Sequence, residues 1–290
     1  MNYRHIYHAG NFADVVKHAT LALIIEHLKL KPAPFRVIDT HAGLGRYELS
    51  AIEAQKTGEW RDGIGRLLSQ PLPSAIAEIL APYLSAVAYE NPGRAPGADL
   101  TAYPGSPLVV RHLMRAGDGL VVNELHPEDH AELANLFARD KQTKVLGLDA
   151  WAALKALLPP KERRAVVLID PPFEEPGELS RLTVALQDAH RRFATGTFLL
   201  WYPIKDQRPV FAFRRELTGL GLEKLLSVEL LIKPTTGEGL SGCGLVILNP
   251  PFQLKEKLDL LLPYFADLFA QFPTASSEVR WLAPERVRSS

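Results

Sequence analysis

The chain has 290 residues, 47% hydrophobic and 23% charged, with a single cysteine and a formal net charge of zero. That balance suits a globular fold with a sizeable core, excludes an intramolecular disulfide, and lacks the basic excess common in nucleic-acid binders. Arg4, Asp14 and Lys17 interrupt the start, so no signal peptide is expected, and no apolar run approaches the ~18–20 residues of a bilayer span. The chain therefore reads as cytoplasmic, with no membrane partner.

Helical spacing of Val15, Val16, Ala19, Leu21, Leu23, Ile24 and Leu28 predicts a helix over 13–29. A short strand, 35–39, runs into Thr40-His41-Ala42-Gly43-Leu44-Gly45. Residues 49–103 mix helical stretches with Pro/Gly-rich breaks. Beyond them, helix 106–116, strand 120–124, helix 128–139, strand 144–149, helix 150–158 and strand 165–170 alternate. Helix 178–193, strand 197–203, a helix near 209–219, strands 225–232 and 243–249, and a final helix over 253–271 complete the pattern, followed by a polar tail. Strands alternating with helices imply an α/β, Rossmann-like fold: a seven-stranded, mostly parallel sheet with helices on both faces. Cys243, between Gly242 and Gly244, reads as a buried structural thiol.

The turn Asp39-Thr-His-Ala-Gly43-Leu-Gly45 allows close backbone approach to a ligand. It is neither the dinucleotide fingerprint, which needs a third glycine, nor a phosphate loop, which needs Gly-Lys-Ser/Thr. It suits a cofactor without a pyrophosphate, such as S-adenosylmethionine, and by itself it fits a plain strand-to-helix turn equally well. Glu124, Asp149 and Asp170 end the next three strands, so four successive strands end in acids on one sheet edge, where nucleotide-type ligands bind. Glu124 suits ribose hydroxyls, and Asp149 an adenine amine. About 80 residues separate Gly45 from Glu124, against ~20 in a plain βαβ unit. The excess marks 49–103 as an inserted helical subdomain within a domain formed by 1–48 and 104–290.

Asp170-Pro171-Pro172-Phe173 carries the chemistry. The lone pair of an adenine amine is delocalised into the ring, and methyl transfer needs it localised on nitrogen. A carboxylate and a backbone carbonyl achieve this by accepting the two N–H bonds. Asp170 supplies the carboxylate, Pro171 fixes the turn, and Phe173 offers a stacking face worth ~1–3 kcal/mol. The pattern recurs at Asn249-Pro250-Pro251-Phe252. That copy closes the last strand, which is expected to run antiparallel, so it reads as a structural turn at the opposite edge.

Several stretches together resemble the RlmJ family of large-subunit ribosomal RNA adenine-N6 methyltransferases: Tyr3-Arg4-His5, His8-Ala9-Gly10-Asn11, Ala13-Asp14-Val15, Lys17-His18, Asp39 to Tyr47, Tyr103-Pro-Gly-Ser-Pro107, Glu124-Leu-His-Pro127, Asp170 to Phe173, Arg192 to Thr197, Leu200-Trp-Tyr-Pro203 and Asn249 to Phe252. The likeness covers nearly the whole chain. It implies a class I methyltransferase that uses S-adenosylmethionine and no metal, with cofactor contacts from His18, His41, Ser106, Glu124, Asp149, Ala150 and Asp170. It implies Asp170 as the catalytic residue and Tyr3, His5, Lys17, Pro171 and Phe173 on the substrate side. It also implies a monomer acting on 23S ribosomal RNA, either protein-free or an early precursor, to give N6-methyladenosine. Two departures stand out: Phe173 where tyrosine is common, which keeps the stacking face, and Ala150 where glycine is common, which bears on that backbone contact. DNA adenine as substrate, and cofactor binding without catalysis, are the alternatives the motifs leave open. The missing glycine disfavours a nicotinamide oxidoreductase.

Overall fold

The computed structural model describes residues 4–95 and 97–285. The chain divides into two compact units, Met1–Ala153 and Leu154–Ser290.

The first unit opens with a single turn of 3-10 helix, His5–Tyr7, and then α1 (Phe12–Lys29). The Asn11 side chain caps α1 by accepting the N–H groups of Ala13 and Asp14, both at 3.0 Å. Every α1 residue from Phe12 to Ile25 is buried, as expected of a helix covered on all sides. The strand β1 (Arg36–Asp39) follows, then β2 (Arg46–Glu48), α2 (Ile52–Thr57), a kinked segment at Arg61–Gly65 whose Gly63 is not helical, the short α3 (Arg66–Leu68), α4 (Ser74–Tyr89) and β3 (Ala102–Pro104). An antiparallel ribbon between β2 and β3 ties the two ends of this excursion together. The order continues α5 (Ser106–Leu113), β4 (Gly119–Asn123), α6 (Pro127–Leu136) and β5 (Thr143–Leu146), and the boundary between the units falls within α7 (Ala150–Leu157). β4 pairs in parallel with both β1 and β5. α1 packs on α4, on α5 and on the kinked segment 61–65.

The second unit holds β6 (Ala165–Ile169), α8 (Glu178–Arg192), β7 (Thr197–Ile204), α9 (Gln207–Gly219), β8 (Leu225–Leu231), β9 (Gly242–Leu248), α10 (Leu254–Phe269) and β10 (Ser276–Ala283). β6 and β7 run parallel; β9 lies antiparallel between β7 and β8, and β10 is antiparallel to β8. Among the described residues the main strands of the two units number eight where seven are predicted. The addition is β10, in the tail that reads as polar. None of its residues is fully buried, because it pairs with one neighbour and needs no continuous apolar run. The expected α/β architecture stands otherwise, and Cys243 is buried within β9 as predicted. No helix among the described residues is long and apolar enough to cross a membrane.

Packing in the second unit turns on one aromatic crossing. Tyr202 of β7 sits opposite Gly244 of β9, and a Cβ at 244 would lie 2.0 Å from the Tyr202 ring. The glycine therefore makes room for the ring. The Tyr202 hydroxyl donates to Glu229 Oε1 at 2.7 Å, and Arg214 Nη1 donates to both Glu229 oxygens at 3.0 Å. Arg214 and Glu229 are both buried, so removing Arg214 leaves a buried carboxylate without its partner, and removing Glu229 leaves Arg214 with only the half-exposed Glu278, 3.5 Å away. Glu229→Ala is expected to cost about 3–5 kcal/mol in urea unfolding, whereas a well-packed apolar replacement of both partners is expected to cost far less.

Candidate active site

In the first unit, the turn after β1 requires its glycines. Gly43 has φ +58° and Gly45 φ +75°, the left-handed region. A Cβ on Gly43 would lie 2.2 Å from the Tyr47 hydroxyl, and one on Gly45 2.8 Å from Leu136. Glu124, one residue past β4, braces this turn. Its Oε2 accepts the Gly43 N–H at 2.8 Å, and its Oε1 accepts the His126 N–H at 2.8 Å. Asp39 at the end of β1 accepts from Ser106 Oγ at 2.6 Å and from the His41 N–H at 3.3 Å. The structure thus joins Asp39 to Ser106, and Glu124 to the glycine turn. His41 is hydrogen-bonded to Thr40 Oγ1 at 2.8 Å and meets Trp151 edge-on, with centroids 6.1 Å apart. Asp149 lies three residues beyond β5 and is exposed. It accepts the Ala152 N–H at 2.9 Å, capping the helix that Ala150 begins.

Sequence reasoning passed over Asn123, the last residue of β4. Its buried amide donates to Thr40 O at 3.2 Å and Leu148 O at 2.8 Å, and accepts the Leu148 N–H at 2.9 Å. One side chain thereby ties together the tips of β1, β4 and β5. The signal was a primary amide closing an otherwise apolar strand.

Three predicted contacts on the N-terminal segment converge on Asp14, an acid of the quoted motifs to which no role was assigned. Asp14 accepts the Gly10 N–H at 2.9 Å, His5 Nε2 lies 2.9 Å from its Oδ2, and Lys17 Nζ lies 2.9 Å from its Oδ1. Burial alone would raise the Asp14 pKa, but His5, Lys17 and His18 outweigh it and hold the carboxyl well below the usual range. Burial drives His18 down to about 3, so its ring is neutral at ordinary pH. His18 Nδ1 is 2.8 Å from the Tyr103 hydroxyl, which is 3.0 Å from that of Tyr83, and its ring stacks on Tyr103 at 5.7 Å. His5 contacts Tyr47, whose hydroxyl reaches the Gly43 turn. Asp14, Lys17 and His18 stand at i, i+3 and i+4, one face of a helix, and that was the readable signal. Tyr3 lies outside the described residues.

In the second unit, the buried strand β6 delivers Asp170, half-buried, one residue beyond its end. Pro171 is buried. Phe173 adopts φ +53°, donates its N–H to Glu178 Oε2 at 2.9 Å, and meets the Trp201 ring edge-on at 5.7 Å. The copy at 249–252 differs as predicted. β9 is antiparallel to β7, which parallels β6, so Asn249 and Asp170 end their strands at opposite edges. The Asn249 amide is committed to Ala194 O and Gly196 O, both at 2.8 Å, and its own carbonyl accepts from Thr197 Oγ1 at 3.0 Å.

The His18 and Asp14 shifts fix a pH dependence. On unfolding below pH about 6.5 His18 takes up a proton that the folded protein refuses until about pH 3. The unfolded state therefore binds more protons in that window, and stability falls as pH falls through it. Asp14 acts in the same direction below its ordinary value of 3.8. Denaturant unfolding between pH 7.5 and 4 should show this decline, and His18→Gln should flatten it. Equal slopes in the two proteins would contradict the assignment.

A family model described as "Ribosomal RNA large subunit methyltransferase D, RlmJ" matches residues 32–283. The "Ribosomal RNA large subunit methyltransferase J" of Haemophilus influenzae is 40% identical over 286 residues, covering 98% of this chain and 100% of that protein. The protein of the same description from Escherichia coli is 39% identical over 287 residues, with the same coverage. Among solved structures, protein LPL1258 of Legionella pneumophila superposes with a TM-score of 0.84 at 33% identity, over 94% of this chain and 98% of that one. The chain belongs to the RlmJ family of large-subunit ribosomal RNA methyltransferases.

Proposed function

We propose that the protein transfers a methyl group from S-adenosylmethionine to the exocyclic N6 amine of an adenine in 23S ribosomal RNA. Asp170-Pro171-Pro172-Phe173 at the tip of β6 carries this reading. The chemistry needs an acceptor and a stacking face on one rigid turn, and the sequence supplies both there. Family membership favours ribosomal RNA over DNA, since the motif by itself does not separate them.

The residues at the strand tips suit the cofactor. Each Glu124 oxygen accepts one backbone N–H, and a carboxylate oxygen has room for a second donor, which leaves acceptors for a ribose diol. The left-handed glycines keep that turn free of side chains and no lysine follows them, which suits an adenosyl group lacking phosphates. Glu124 would hold the ribose, Asp149 and the Ala150 backbone the adenine edge, and His18, His41, Ser106 and Asp170 the rest of the donor. When bound, S-adenosylmethionine supplies a methyl group made electrophilic by its sulfonium. Asp170 accepts one N–H of the target amine and orients its lone pair. A carbonyl of the Pro171 turn accepts the other N–H, and Phe173 stacks on the base. The nitrogen acquires its acidity as it is methylated, so Asp170 need not be a strong base. The family resemblance assigns Tyr3, His5 and Lys17 to the substrate. Residues 49–103 form a subdomain inserted in the methyltransferase domain 1–48 and 104–290. The protein works as a cytoplasmic monomer on RNA that is protein-free or an early precursor.

Asp170→Ala is expected to lower methyl transfer by at least ~100-fold, while calorimetric donor affinity changes only a few-fold. Full activity in that variant would sink the mechanism. Mass spectrometry of 23S RNA from a strain lacking the gene should show one lost N6-methyladenosine. Assays on protein-free RNA and on intact subunits then identify the form used.

A further inference from the structure

The chain carries two Pro-Pro-Phe turns of nearly the same sequence, and they fold differently. In 170–173 the left-handed residue is Phe173, at φ +53°, and its half-buried ring lies against Trp201. In 249–252 the left-handed residue is Asn249, while Phe252 is 79% exposed. A left-handed conformation is unfavourable for an aromatic residue, so Phe173 needs a local hold that Phe252 lacks.

Glu178 supplies that hold. It stands five residues after Phe173, and its Oε2 accepts the Phe173 N–H at 2.9 Å. The equivalent position after Phe252 is Lys257, which has no acceptor. Glu178 is 7% exposed and is the first residue of α8, where the helix N-terminus favours a negative charge. Its N-cap is Gly177, at φ +84°, with no capping side chain, so the carboxylate of the first helical residue is free to reach back over the turn. Arg181 Nη1 lies 3.7 Å from Glu178 Oε1 and balances part of the charge. Packing does not fix the turn from this direction: a cavity of about 320 Å³ lined by Phe173, Glu178, Leu179 and Phe213 borders it.

We propose that Glu178 is a positioning residue for methyl transfer: by accepting the Phe173 N–H it holds the Phe173 ring where the target base stacks. This rests on the function proposed for Asp170 to Phe173. Glu178 touches neither base nor donor and acts only through the backbone of the turn.

The test compares Glu178→Ala with Glu178→Gln, which keeps an oxygen acceptor at the same reach. Hydrogen exchange of residues 170–177 reads the turn directly, because Pro171, Pro172 and Pro176 carry no N–H and few amides contribute. The Phe173 amide should be protected in the wild type and in Glu178→Gln, and lose at least about tenfold protection in Glu178→Ala. On ribosomal RNA, Glu178→Ala should lose about 10–100-fold in kcat, with donor affinity within about twofold, and Glu178→Gln should recover to within about threefold. Should Glu178→Ala fail to fold, Glu178→Asp, one methylene short of the Phe173 amide, carries the same expectations. An unprotected Phe173 amide in the wild type, equal losses in the Gln and Ala variants, unchanged kcat despite lost protection, or donor binding lost in parallel with kcat would each overturn the proposal. If the wild type itself methylates no adenine, the proposed function fails, and the exchange comparison still decides whether Glu178 holds the turn.

Discussion

Backbone N–H groups in tight turns and at helix starts have no ladder or helix partner, and in this protein acidic side chains satisfy several of them. Glu124 takes those of Gly43 and His126, Asp39 that of His41, Asp149 that of Ala152, Glu178 that of Phe173, and Asp14 that of Gly10. An unsatisfied buried N–H is costly, and a charged acceptor strengthens the bond, so each acid fixes the shape of its turn. A carboxylate has more acceptor sites than one N–H uses. The acids that shape the turns are thereby still able to meet a ligand, and the two roles need not compete.

The N-terminal helix extends the same economy into the interior. Asp14 gathers His5, Lys17 and the Gly10 N–H around one buried charge, and His18 stays neutral above it, passing its hydrogen bond to Tyr103 and Tyr83. A neutral imidazole is the form that suits so dry a site, since a second buried cation beside Lys17 would be penalised. The Tyr47 ring lies between this cluster and the glycine turn, against His5 on one side and with its hydroxyl beside Gly43 on the other.

The two Pro-Pro-Phe turns show how little of a motif's geometry lies in the motif. Prolines restrict both segments equally. What separates them is strand direction, which sends β6 and β9 to opposite edges, and the residue five positions on, an acid in one case and a lysine in the other.

The alternation of strands and helices, the glycine turn, the acids at strand ends and the Asp170 motif were all legible in the sequence, because each is a local pattern: periodicity, punctuation, or a residue type at a strand boundary. The reading of Asn249 as structural also followed from strand order. What only the tertiary structure decided is long-range. Asn123 reads as an ordinary strand residue until its amide is seen tying Thr40 and Leu148 to β4. Asp14 has local neighbours at helical spacing, but its dryness depends on α4 and α5 packing over α1. The strand β10 carries no apolar run, and its pairing exists because β8 leaves an open edge for it. That Asp149 also caps α7 shows only once the helix start is placed beside it. Periodic burial and turn chemistry are written along the chain, whereas a buried polar group's partners come from segments far apart in sequence, and only folding brings those together.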